Sequence, residues 1–298
     1  MRPTTKAQHQ ARRVSARARR QARRVDRDAR KVVANTWLER LARLGYVVRG
    51  VLYGVMGVLA LELAFGVGAS PGDQRKSLYL LAGNPLGGIL MVVVVLALAA
   101  YSLWGFVRAI YDPLGRGNDP PGIISRLGFA WSGLNYAALM VFALEFLIGA
   151  TKGDGSDTLQ KLVADVMSKP AGQYITIGAG AIGVIAGLGQ FADAYQAGFR
   201  KDLKRNQMNR AERITADALG RFGMVARGVV FTMLGYFVLQ AGLHHDPSRA
   251  GSMGEAFLAI ATAPHGHLVL GLVALGFVAL GMHSFANARW VRMPRGKA

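Results

Sequence analysis

Residues 87–107, GGILMVVVVLALAAYSLWGFV, run for 21 positions without one charged side chain. A helix rises about 1.5 Å per residue, so roughly 20 apolar residues cross the ~30 Å hydrocarbon core of a bilayer. A helix on the surface of a soluble domain keeps a polar face, and this stretch has none. Five further stretches follow the same rule with one or two polar exceptions each: 44–65, 128–149, 172–195, 223–243 and 267–288. Six such stretches in 298 residues predict an all-α membrane protein with six transmembrane helices. The first apolar run starts too late, and is too long, for a cleaved leader.

An even number of spans puts both termini on one side, and positive charge says which. On the N-terminal side, Lys+Arg number 14 in residues 1–43, 3 in 108–126, 7 in 200–221 and 4 in 289–298, which makes 28. The opposite loops hold only 6, and Arg49 and Arg227 lie within spans. Both ends are therefore expected in the cytoplasm. There is no cysteine, so disulfides, thiol nucleophiles and Cys-ligated metals are excluded.

The chain repeats itself three times. Arg43-Leu44-Gly45-Tyr46 opens the first span, Arg126-Leu127-Gly128-Phe129 the third and Arg221-Phe222-Gly223-Met224 the fifth. Five residues after each of these glycines comes another, Gly50, Gly133 and Gly228. About 40 residues on comes Pro-x-Gly, at Pro85, Pro170 and Pro264. Each copy thus reads as a helical hairpin starting on the same side, and the three are parallel repeats about an axis along the membrane normal. Proline suits the first helical turn, where an N–H would lack a partner anyway. Short semi-apolar segments before each Pro, 76–81, 159–167 and 253–261, fit helices lying at the outer surface. Gly50 with Gly54, and Ala179, Gly183 and Gly187, have the four-residue spacing that lets helices approach closely in lipid. The units expected are a basic tail 1–35, hairpins 36–112, 113–200 and 201–290, and a C-terminal tail 291–298.

These openings, second glycines and Pro-x-Gly starts resemble those of a bacterial, mainly actinobacterial, membrane family catalogued as domain of unknown function 1206. The resemblance covers about residues 40–290. It implies a six-span plasma-membrane protein and supplies no activity, cofactor or catalytic residue. Mitochondrial carriers also triplicate a two-span unit, but their P-x-[DE]-x-x-[KR] signature is absent from the odd spans.

Charged groups inside a membrane face protein or water, and so mark candidate sites. Seventeen residues after each opening Gly stands Glu62, Glu145 or Gln240, some 25 Å along its helix and near the outer interface. Turned inward, the three form an outer polar ring favouring cations; turned outward, the simpler case, they reach for headgroups. Gln240 does not titrate, which excludes a threefold proton relay. Twenty-three residues after each Pro stand Arg108, Asp193 and Asn287, with Trp104, Gly189 and His283 one turn earlier. Arg108 and Asp193 are candidates to pair across the bundle, although snorkelling to the interface explains both. Arg49 and Arg227 hold matching positions, with Ser132 as their counterpart, and read first as anchors to cytoplasmic phosphates or the neighbouring helix end rather than as transport gates. His244, His245, His265 and His267 flank one outer loop beside Asp246, and are solvated loop residues rather than metal ligands. No HExxH, GxxxxGK[ST], GxSxG or GxGxxG stands in a supporting context, so an enzyme reading has no residue to start from. No cofactor or metal is expected.

Residues 4–33 lack Gly and Pro and form a cationic stretch with a weak apolar stripe, and Thr36-Trp37-Leu38-Glu39 reads as a capping box opening a second short helix. Beside a membrane the nearest polyanion is lipid, worth about 1 kcal/mol per basic residue at the surface. Nucleic acid is disfavoured, because the tail has no aromatic before Trp37 on which bases could stack. Two functions follow from the whole pattern. One is a small channel or transporter for a cation or polar solute along the pseudo-threefold axis, between the outer and inner polar sets. The other is a non-transporting scaffold or accessory subunit that binds anionic lipid and partner proteins.

Overall fold

The computed structural model describes residues 36–66, 87–112, 116–149 and 158–291. The basic tail, the 76–81 segment and Pro85 lie outside the described residues. Eight α-helices are present within them: α1 Thr36–Ala64, α2 Gly87–Tyr111, α3 Pro120–Leu147, α4 Thr158–Met167, α5 Gly172–Gln196, α6 Arg210–His244, α7 Met253–Ala261 and α8 Gly266–Trp290. Six of them, all but α4 and α7, are long and apolar enough to cross a membrane. The expected second short helix at Thr36 is instead the first turns of α1, which continues unbroken into the span. Likewise α6 begins well before residue 223, behind a capping box in which Asn209 and Glu212 each satisfy the other's backbone N–H at 2.8 Å.

Neighbouring helices follow the order α5, α6, α8, α1, α2, α3. Every even span packs on the odd span of the next repeat, and the third repeat returns to the first. The contact is the same each time. The residue 17 positions after Pro85, Pro170 and Pro264 is Ser102, Gly187 and Gly281. A Cβ on Gly133 would stand 3.1 Å from the Ser102 carbonyl oxygen, one on Gly228 3.2 Å from that of Gly187, and one on Gly50 3.0 Å from that of Gly281. A side chain at any of the three glycines would force the backbones apart and forfeit the dispersion contacts that hold helices together in lipid.

Within hairpins the pattern holds twice and fails once. Gly45 lies against the Tyr101 Cβ and Gly223 against the Leu280 Cβ, where added methyls would come to 2.5 and 2.8 Å. Gly128, expected to pack likewise, has nothing within 4 Å. Its counterpart across the hairpin is Ala186, where the others have Tyr101 and Leu280, and both Gly128 and Ala186 are exposed. Among the described residues α3 and α5 share no packed face. Gly54 joins Gly50 in the close approach, its backbone N standing 3.1 Å from a Cβ built on Gly281, whereas the close line on α5 is Gly180, Gly183 and Gly187, with Ala179 turned outward.

The opening arginines have a structural task. Arg43 donates to the carbonyls of Ala288 and Arg289 at the end of α8, at 2.5 and 2.7 Å. Arg126 repeats this on Ala109 and Ile110 at the end of α2, at 2.8 and 2.9 Å. A guanidinium thereby satisfies orphan carbonyls where the helix dipole is negative. Pro170 and Pro264 do not open α5 and α8 as expected. They precede an N-cap, Ala171 or His265, held in the left-handed region at φ 61° and 57°. That turn drives the following glycine against the preceding short helix: a Cβ on Gly172 would lie 1.9 Å from the Val166 carbonyl oxygen, and one on Gly266 2.1 Å from that of Ile260. Both short helices occur where expected, but α7 buries Ala256, Phe257 and Ile260 against α1 and α8 rather than only lying on the surface.

This turn generates a paired prediction. Replacing Ala171 by Gly removes the left-handed penalty and raises stability by about 1 kcal/mol, whereas Gly172→Ala lowers it by about 1–3 kcal/mol through overpacking. Thermal melts of the detergent-solubilised protein check the opposite signs at adjacent residues.

Candidate functional site

Four residues after each opening glycine stand Arg49, Ser132 and Arg227; eight after it stand Tyr53, Tyr136 and Phe231. The two positions are one turn apart on one helix face, lying between the faces that contact the two neighbouring helices. Arg49 and Arg227 therefore turn into the bundle rather than out to headgroups, which corrects the anchoring expectation. Arg49 donates from Nη1 to the Tyr101 hydroxyl at 2.6 Å, and its guanidinium carbon lies 5.3 Å from the Tyr53 ring centre. Arg227 donates from Nε to Gln190 Oε1 on α5 at 3.1 Å, and Nη2 bonds the same oxygen. Both arginines act electrostatically on the Tyr53 phenol and on His283.

Among the described residues the surroundings of Arg49 are dominated by phenols. Tyr46, Tyr53, Tyr101 and Tyr136 are the groups acting on it most strongly, and each is under 5% exposed. Tyr101 packs edge-on against Tyr46 and Tyr136 at centroid distances of 4.9 and 4.6 Å. The buried Tyr136 hydroxyl lies within reach of the Tyr53 hydroxyl, and Arg49 Nε is buried without a hydrogen-bond partner among the described residues. Such a group costs about 1–3 kcal/mol when left unsatisfied, and one in a native interior asks for an explanation.

Arg108 extends the cationic interior toward the basic end. Its guanidinium carbon stands 4.5 Å from the Phe129 ring centre, and Nη1 donates to the Tyr46 hydroxyl at 3.5 Å, the outer limit of such a bond. Below it, the segment 197–208 forms a floor. Leu203 is wholly buried with Phe199 and Met208, and Lys204 N–H bonds the Trp290 carbonyl at 2.7 Å. Arg116 pairs with Asp202 at 2.7 Å, and Asp217 with Arg200 and Arg205 at 2.8 and 2.6 Å. Burial holds the Asp202 carboxyl above the ordinary carboxylate range, against the pull of Arg116 and Arg108.

The candidate inner set does not assemble into one group. Arg108 is buried as described, but Asp193 is exposed and does not pair with it; Asp202 is the carboxylate that acts on Arg108. His283 is buried with Nδ1 3.1 Å from the Ala216 carbonyl and its ring edge-on to Phe199, and Asn287 donates to the His283 carbonyl at 2.9 Å. In the candidate outer set, Glu62 and Glu145 are exposed and Gln240 half-buried, and no hydrogen bond links the three among the described residues. The loop histidines have local tasks: His245 and His265 take left-handed cap positions, and His267 Nδ1 lies 3.1 Å from the Ala64 carbonyl. Asp246 is held by the Ser248 hydroxyl and amide, at 2.6 and 3.0 Å, which keep its carboxyl below the ordinary range. No group of three or more His, Asp and Glu close enough to hold a metal ion occurs among the described residues. The tyrosines are what the sequence reading passed over, although Tyr53 and Tyr136 share one register position and could have been found by it.

Fold and interior together define a multi-pass helical protein of membrane type, built from three copies of one hairpin. A model of the family described as Domain of Unknown Function (DUF1206) matches three times, at residues 44–112, 127–197 and 222–291, and the chain belongs to that family. It is also 32% identical over 257 residues to uncharacterized protein YxxB of Bacillus subtilis (strain 168), covering 86% of this chain and 92% of that one. No solved structure matches it.

Tyr101→Phe removes the acceptor of Arg49 and leaves a buried guanidinium short of one bond. A loss of about 1–3 kcal/mol is expected, against no measurable change for the exposed Tyr236→Phe. Denaturation of the two variants in the same detergent makes the comparison.

Proposed function

We propose that this protein binds an anionic group inside the membrane, at the guanidiniums of Arg49 and Arg227, and acts by holding or carrying that ligand rather than by opening a continuous pore. One observation carries the reading: two arginines at equivalent places in repeats 1 and 3 face the interior among phenols and an amide, with no carboxylate acting strongly on Arg49. Ionisable groups at membrane depth are expensive and are kept for a task. Guanidiniums offer planar, paired donors suited to phosphate or carboxylate oxygens. The tight packing of Tyr46, Tyr101 and Tyr136 speaks for a site rather than a channel. Of the earlier alternatives, a polar solute survives in anionic form, and a cation loses its support.

The same proposal places both termini in the cytoplasm and the protein in the plasma membrane, on the 28-to-6 division of basic residues. The basic tail then adsorbs to anionic headgroups of the inner leaflet.

Thermal melts with sodium phosphate against potassium chloride at equal ionic strength test the reading. Phosphate is expected to raise the midpoint of the wild type, by the equivalent of about 2.7 kcal/mol at a hundredfold excess over Kd. It leaves the Arg49→Gln/Arg227→Gln variant unmoved. An equal rise in both proteins, or a response to potassium alone, contradicts it.

A further inference from the structure

We infer that the anionic ligand is the headgroup of a membrane phospholipid, which enters sideways through the opening between α3 and α5. The inference rests on the anion reading above and adds the source and the route. The route follows from what is closed. The basic end is floored by 197–208, with Leu203 wholly buried and Arg116 clamped to Asp202. Toward the other end, α7 buries Phe257 against α1, α6 and α8. Among the described residues, five of the six neighbouring long-helix pairs are packed, and α3 and α5 share no packed face.

The opening is written into the second repeat. Ala186 replaces the Tyr101 and Leu280 that meet the opening glycines of the other hairpins, and Gly128 faces empty space. The exposed faces of these two helices are apolar: Leu127, Trp131 and Leu134 on α3 and Ile182, Ile185 and Leu188 on α5 are all more than half exposed. At its inner edge are groups that want an oxygen ligand. Ser132 lies at the register of Arg49 and Arg227, and Arg49 Nε is buried with no hydrogen-bond partner among the described residues. Acyl chains suit such exposed apolar faces, and guanidiniums suit a phosphate. Arg49 lies four residues beyond Gly45, about 6 Å into the span. A headgroup in the leaflet at the basic end therefore reaches it with little change of depth. A free anion matches the guanidiniums equally well but gives no account of the exposed apolar faces.

The test uses the full chain in detergent micelles with phosphatidylglycerol bearing a photoreactive acyl chain, unlabelled phosphatidylcholine as competitor, and inorganic phosphate. In the wild type the label is expected on peptides within 120–147 and 172–196. Labelling falls roughly tenfold in Arg49→Gln, for the loss of one charge-assisted contact, and by a similar factor in Ala186→Leu, which fills the opening. Phosphate still raises the melting midpoint of Ala186→Leu, showing that this variant is folded with its arginines in place. Labelling unchanged by Ala186→Leu, or spread evenly over all six long helices, overturns the lateral route while leaving the anion reading intact. A loss of both lipid labelling and the phosphate response in the wild type overturns both. Should Ala186→Leu fail to fold, the wild-type labelling pattern decides. The basic tail is present in every variant and cancels from the comparison.

Discussion

Helices dissolved in lipid gain nothing by hiding apolar side chains from one another, so a bundle holds together only where backbones come close enough for dispersion to accumulate. In this protein that condition is met at three crossings, Gly133 on Ser102, Gly228 on Gly187 and Gly50 on Gly281. They are copies of one contact, and the third joins the last repeat to the first. Everything else hangs on that closure. It sets the inward face of each odd span, and so puts Arg49, Ser132 and Arg227 at one level around a common interior. It also brings the ends of α8 and α2 under the opening arginines of the next repeat, which cap them.

Against this template, the departures of the second repeat carry meaning. Ser132 replaces an arginine, so the interior holds two axial guanidiniums rather than three. Ala186 replaces a large side chain, so one hairpin stands open. A threefold-symmetric bundle would be shut all round, with mutually repelling cations at its centre. Losing one arginine eases that repulsion, and on the proposed lateral route losing one plug gives access to the remaining pair. The phenols around Arg49 supply acceptors without cancelling its charge, as the proposed anion site requires.

Much of the architecture could be read from the residues. The six spans follow from apolar length, and the triplication from the spacing of Arg, Gly and Pro, because both are local properties of a regular helix. What escaped was azimuth. Glu62 and Glu145 drew attention as carboxylates, yet they are exposed, while Tyr53, Tyr101 and Tyr136 were not singled out. Arg49 and Arg227 were noticed but aimed the wrong way, since a long side chain near a helix end can snorkel or turn inward and only the packing of neighbours decides. The proline of Pro-x-Gly fits a first helical turn as a residue type. The left-handed Ala171 and His265 that displace it are dictated by the fit of Gly172 and Gly266 against a preceding short helix, which no local preference of Ala or His foretells.

The closed cyclic order of the repeats is tested most directly by spin-label distances, because the chain has no cysteine to remove. Cysteines at Val47, Ala130 and Val225, two residues after each opening glycine, pair with Leu103, Leu188 and Met282, 18 residues after each proline. Between repeats, the pairs Leu103–Ala130, Leu188–Val225 and Met282–Val47 are expected to give three closely similar short distances in membranes. Within hairpins, Ala130–Leu188 is expected to be longer than Val47–Leu103 and Val225–Met282. A Met282–Val47 distance far beyond the other two inter-repeat values would mean that the repeats lie in a row and never close, and the account would fail.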